Sequence, residues 1–335
     1  MANNFCCGFG RKAFAFMIIG PAMLFAPVAS WAHVRWFIDS KDPGLPNVEP
    51  YALHDTAVLA WIAIALVMIL VAIFLDTKLP SFPVANTKIR HDVMELMRIL
   101  TGVSFLLTAY DGAIVAPHLD VTSGVGLAFV FLQAAIGLML LSNNFLHQAA
   151  VLIIVLFVGM ITQFGFLAAF EYVNVIGIAL FLLFNYFPSD DMRERLKPYS
   201  VDALRIFTGI ALVILGISEK LHGAMLGNAF MAEYQWNFMP LLGFEAFDNR
   251  LFVLSVGVME VVLGVILILG VVTRLNTLVI ATFMFISNVV LLMQERQEDA
   301  LLELIGHLPI ISTALILLML GYGQRLKVTN LIRRT

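Results

Sequence analysis

Apolar residues run in long stretches through this chain, and the polar positions gather between them. Nine stretches long enough to cross a hydrocarbon core lie near 55–76, 97–117, 124–142, 148–169, 172–187, 203–220, 251–270, 275–294 and 303–321. They predict an all-α membrane protein of about nine transmembrane helices. An earlier apolar stretch, Ala13 to Val28, follows Arg11-Lys12, contains Pro21 and Pro27, and precedes Ser30-Trp31-Ala32. Small residues at −3 and −1 of a cut before His33 predict a cleaved secretory signal. The alternative is an uncleaved anchor helix.

The pattern also repeats. Arg98-Ile-Leu-Thr-Gly102 answers Arg205-Ile-Phe-Thr-Gly209, and Gln133-Ala-Ala-Ile-Gly137 answers Glu260-Val-Val-Leu-Gly264. The first pair is 107 residues apart and the second 127, so the second copy holds 20 more residues between its first two helices. Asn174 and His307, near the start of each fourth helix, are 133 apart, which adds six more. Four helices per copy is an even number, so the two bundles are expected to be parallel. The predicted organisation is a signal (1–32), an outer segment with one extra helix and a linker (33–93), two repeats (94–188 and 201–322) and a basic tail (323–335). Both insertions fall on the outer face, where repeat proteins often work. The larger one, His222 to Arg250, contains Phe230, Tyr234, Trp236, Phe238, Phe244 and Phe247. Such aromatics form either an interfacial belt or a lid over a cavity, with Trp236 as a possible ligand contact.

Composition supports the membrane reading. Apolar residues make up 61% of the chain, charged residues 13%, and mean hydropathy is +0.93. With the start of the mature chain outside, the cytoplasmic side receives Lys78, Lys88, Arg90, Arg98, Arg193, Arg195, Lys197, Arg205, Arg274, Arg325, Lys327, Arg333 and Arg334. The outer side receives Arg35, Lys41, Lys220, Arg250 and Arg296. This positive-inside bias predicts a bacterial inner-membrane protein with a periplasmic mature N-terminus and a cytoplasmic C-terminus. The only cysteines, Cys6 and Cys7, precede the signal, so cleavage would remove thiol chemistry. No phosphate-binding loop, nucleophile elbow or haem-attachment motif is present, and the basic residues follow the membrane rather than a nucleic-acid surface.

A few polar residues stand inside or at the ends of apolar stretches. Glu260 lies mid-helix, where a carboxylate either accepts a structural role in protonated form or serves a proton relay or ligand. Glu219 and Lys220 close another helix. Glu219 and His222 are three apart, and Glu303 and His307 four apart, so each pair is expected to share a helix face. Two carboxylate–imidazole pairs can bind a divalent metal or pass protons to a quinone headgroup, unless they only cap and snorkel at helix ends. His33, if it begins the mature chain, would join an amine to an imidazole and could chelate copper.

The second repeat resembles a known family. Leu204-Arg-Ile-Phe-Thr-Gly-Ile-Ala-Leu-Val-Ile-Leu-Gly-Ile-Ser-Glu-Lys-Leu221 looks like the first helix of DoxX-like proteins. Val258-Met-Glu-Val-Val-Leu-Gly-Val-Ile-Leu-Ile-Leu-Gly-Val-Val-Thr-Arg274 looks like their second. The first repeat resembles them more weakly, with no counterpart of the Lys, the Glu or the Thr-Arg. The resemblance implies four-helix membrane proteins, some of them subunits of thiosulfate–quinone oxidoreductases, and Lys220, Glu260 and Arg274 are the matching positions. The expectation is a redox-associated subunit holding a quinone or similar amphiphile near the outer leaflet of repeat 2. Its partners would be lipids and other membrane or periplasmic redox proteins. The alternatives are a carrier for a small molecule, ion or metal between two bundles, and a non-catalytic assembly subunit.

Overall fold

A run of apolar residues in lipid has no water for its backbone, so it closes its hydrogen bonds within a helix. In a computed structural model that describes residues 34–38, 44–80, 85–321 and 324–332, this is the outcome for most of the described residues. The proposed signal, His33 and both cysteines lie outside the described residues. The helices are α1 (Thr56–Lys78), α2 (Thr87–Tyr110), α3 (Gly124–Leu141), α4 (Leu146–Phe164), α5 (Asn174–Asn185), α6 (Ser200–Leu215), α7 (Ala224–Tyr234), α8 (Asn249–Leu269), α9 (Thr273–Met293) and α10 (Gln297–Leu320). Eight helical stretches among the described residues are long and apolar enough to cross a membrane. This is a multi-pass membrane protein, and the exposed Leu59, Leu66, Val67, Leu70 and Phe74 give α1 a face suited to lipid.

The ninth expected span is shorter than its composition suggests. α5 has 12 residues, about 18 Å of helix against a core of about 30 Å. The chain leaves α4 at Gly165, whose φ of +86° suits glycine, makes one helical turn at Phe166–Phe170, and starts α5 only after Val173. This re-entry carries Glu171 and Tyr172 inside the protein.

The two halves use the same devices, with 20 more residues between the paired helices in the second. Arg98 donates to the carbonyls of Leu140 and Leu141, and Arg205 to those of Leu267 and Ile268. Each arginine also pairs with an acid three residues earlier, Glu95 or Asp202. A Cβ on Gly102 would lie 3.0 Å from the Gly137 carbonyl oxygen, and one on Gly209 would lie 2.6 Å from that of Gly264. Small residues here let the backbones of α2 and α3, and of α6 and α8, approach closely. The halves also exchange neighbours: α2 packs against α10, and α5 against α6. One apolar core runs through both.

Two polar clusters fasten the end of the bundle where α10 finishes. Asp202 accepts from the backbone N–H groups of Arg325 (2.8 Å) and Leu326 (3.2 Å). On α1, Asp76 accepts from Lys327 Nζ (2.9 Å), Thr329 Oγ1 (2.8 Å) and the N–H of Val272 (2.9 Å). At the opposite end, α7 and the residues after it form an aromatic cap. Phe230, Tyr234 and Trp236 are buried against one another and Phe252, while Leu241, Leu242 and Phe244 are exposed at its tip.

Candidate functional site

The site begins with a change of helical pitch. After Leu215, α6 widens into a π-helical turn, Gly216–Leu221, and the N–H of His222 reaches back five residues to the Ile217 carbonyl at 2.7 Å. The wider turn fits because Gly216 lies against the Gly257 carbonyl of α8, 2.8 Å from where a Cβ would stand. Such turns often mark functional positions. Here it turns Ser218, Glu219 and Lys220 inward, all buried, and leaves His222 exposed. The expected Glu219–His222 face therefore does not exist, because three-residue spacing shares a face only at ordinary helical pitch.

Inside, Lys220 Nζ pairs with Glu260 Oε1 at 2.9 Å and stands 3.7 Å from Glu219 Oε2. Glu219 Oε2 accepts from the backbone N–H of Val34 at 3.1 Å. Glu171, brought in by the re-entrant turn, pairs with Arg35 at 3.2 Å and accepts from Ser218 Oγ at 2.8 Å. Trp36 Nε1 donates to Tyr172 Oη at 3.0 Å, and its ring lies 4.9 Å from the His307 ring. Glu303 accepts from Ser287 Oγ at 2.6 Å, with His307 Nδ1 3.9 Å from its Oε1. Glu303 and His307 do share a face, but both are buried, which excludes snorkelling at a helix end.

Five of these groups line a cavity of about 40 Å³, room for about three water molecules. Its walls include Glu171, Glu219, Lys220, Glu260 and His307, with Thr208 and Asn174 as neutral polar groups and Leu212, Leu215, Ile280 and Met284 as the apolar remainder. Glu260 Oε2 is buried and makes no hydrogen bond. The corresponding place in the other half is closed. Gln133 donates to Thr108 Oγ1 (2.8 Å) and the Phe105 carbonyl (3.1 Å), and accepts from the N–H of Val115 (2.8 Å). An inward-folded loop thus saturates the amide that stands where α8 has a carboxylate.

Electrostatics follow from burial. The Glu171 carboxyl is pushed up to about 7, first by desolvation and then by Glu219, against the pull of Arg35. Tyr172 is raised by the same two causes. His118, whose Nδ1 is 3.5 Å from Tyr172 Oη, is pushed down to about 4 by burial and by Arg35.

Of the positions singled out from the sequence, Glu219, Lys220, Glu260 and His307 line one cavity, and Glu303 adjoins His307. Trp236 donates to Gln294 Oε1 within the cap at 3.2 Å and does not reach the cavity. His33 lies outside the described residues. Among these, no group of three or more His, Cys, Asp or Glu is placed to hold a metal ion, which leaves the paired metal site without a geometric basis. Arg35, Trp36, Glu171 and Tyr172 belong to the site and were not singled out. Their partners are distant in sequence, 136 residues away for both Arg35–Glu171 and Trp36–Tyr172.

The DoxX family model matches residues 200–292. The C-terminal part of this chain carries a DoxX domain. The match spans α6 to α9 and so includes Glu219, Lys220 and Glu260, whereas Glu303 and His307 follow it. No curated protein and no solved structure matches the chain. Three of the charged groups lining the cavity thus come from the DoxX domain, while Glu171 reaches it from outside that domain, paired with Arg35.

Proposed function

We propose that this chain is a redox-associated subunit of the bacterial inner membrane in which the DoxX domain handles protons for a quinone or similar amphiphile. On this reading the chain arose by duplication, kept one bundle as scaffold and developed the other. The observation that carries it is Glu260, a buried carboxylate in the cavity wall, paired on one oxygen with Lys220 and without a hydrogen bond on the other. The cavity wall holds three carboxylates, Glu171, Glu219 and Glu260, and one cation, Lys220, while Arg35 pairs with Glu171 from beyond the wall. An uncompensated charge is expensive away from water, so the cluster is suited to hold one exchangeable proton.

The cavity is too small for a quinone ring. The headgroup of such an amphiphile is therefore assigned beside the cavity, near Trp36, Tyr172 and His307, with the carboxylates acting through water. On this reading the end with the aromatic cap faces the periplasm, which the positive-inside pattern of the sequence supports. A carrier with a path through both bundles has less support, because Gln133 is sealed by its own loop.

Purification in mild detergent, followed by lipid extraction, tests the reading. Co-purified quinone is expected, together with an infrared band for a protonated carboxyl that disappears in Glu260→Gln. Quinone content unchanged in Glu260→Gln with no such band would remove Glu260 from the mechanism, and absence of quinone and of any redox partner would overturn the redox role.

A further inference from the structure

A short segment from the other end of the sequence contacts three residues of the cavity wall, Glu219, Glu171 and His307. Val34–Trp36 form a single 3₁₀ turn, and with Phe37 and Ile38 they cross the bundle where α6, α10 and the re-entrant turn meet. Three different contacts hold them. The N–H of Val34 ends on Glu219, Arg35 ends on Glu171, and the Trp36 indole ends between His307 and Tyr172. Phe37 then joins the aromatic cap, edge-on to Phe230 and Tyr234 at 5.7 Å.

The indole has a berth shaped for it. Gly306, in the second half of the α10 entry region, faces the ring so closely that a Cβ would lie 2.2 Å from Trp36 Cη2 and 2.5 Å from Cζ3. No other residue type leaves room for the ring in this position. Both carboxylates that the segment touches are also cavity walls, so the segment occupies charged groups that the cavity presents.

We propose that Val34–Ile38 is a displaceable strap, with Trp36 as its catch, and that small solutes reach Glu219, Lys220 and Glu260 when Trp36 leaves the Gly306 berth. On this proposal access is from the end of the bundle where the strap meets Glu171, Glu219 and His307. Because carboxylates outnumber cations behind it, a small cation is the solute the opened cavity admits best. This goes beyond proton handling, and its test reads access whatever the cavity handles.

The probe is aminoethyl methanethiosulfonate, a small cationic thiol reagent, applied to full-length protein in which Cys6 and Cys7 are serine and Thr208→Cys supplies one thiol on the cavity wall. In this parent the thiol should react slowly. Trp36→Ala, which empties the berth, and Gly306→Leu, which blocks it, should each speed labelling at least tenfold, and Trp36→Phe should stay near the parent. Equal rates in the parent and in a monodisperse Trp36→Ala protein would overturn the strap. So would a parent rate equal to that of a cysteine at the exposed Phe244 position. If Gly306→Leu does not give a monodisperse protein, the comparison of Trp36→Ala with Trp36→Phe still decides.

Discussion

Glu171 and His118 sit in one polar neighbourhood, and burial moves them in opposite directions. Each is displaced toward its neutral form, the carboxyl up to about 7 from 4.5 and the imidazole down to about 4 from 6.5. For Glu171 the sign follows from linkage. A raised folded value means the stability contribution is complete below pH 4.5 and is lost as pH rises through 7. At the full displacement this amounts to about 3 kcal/mol, an upper bound. His118 works the other way, losing stability as pH falls from 6.5 toward 4, so a raw pH profile mixes the two. The useful measurement is a difference. Thermal unfolding in detergent, compared between wild type and Glu171→Gln from pH 5 to 8, should show the wild type losing ground to the variant as pH rises. Parallel profiles would mean that Glu171 stays ionised through the range.

Between elements, the closest approach is the crossing of α6 and α8 at Gly209 and Gly264. Gly209→Ala puts a methyl group 2.6 Å from a backbone oxygen that cannot move aside. The alanine gains about 1 kcal/mol of helix propensity, and the crowding costs about 1–3 kcal/mol. A net loss of about 1 kcal/mol is expected in denaturant titration, against little change for Gly124→Ala, which has open space around it. The sequence already marked this crossing, because Arg205 and Gly209 recur as Arg98 and Gly102. The helices themselves were legible for a simple reason: a bilayer allows an apolar run almost no other form. The π-helical turn was not legible. An extra residue in one turn leaves no trace in composition, and the ordinary spacing rule then joined Glu219 to the wrong partner. The shortness of α5 was hidden as well, since residues buried in protein and residues facing lipid are equally apolar. Arg35 and Trp36 read as ordinary loop residues because their meaning lies in Glu171 and Gly306, which only the tertiary fold brings near.

For the whole molecule, the C-terminal residues join α1 to the rest. Asp76 holds Lys327, Thr329 and the Val272 N–H at once. Asp76→Asn removes the charge that Lys327 answers while keeping the shape, and should make the chain several-fold more sensitive to trypsin at Lys327, with the helical content unchanged. Equal cleavage rates would show that Asp202 alone retains the tail. The exchange of neighbours between halves bears on how the protein is made. α2 leaves the ribosome early, yet the helix it packs against is α10, and α5 likewise waits for α6. Neither half can finish assembling as it is synthesised. The membrane must hold the early helices as an open set, and a chain that stops before α10 would leave α2 without its partner, a product for quality-control proteases rather than a working half.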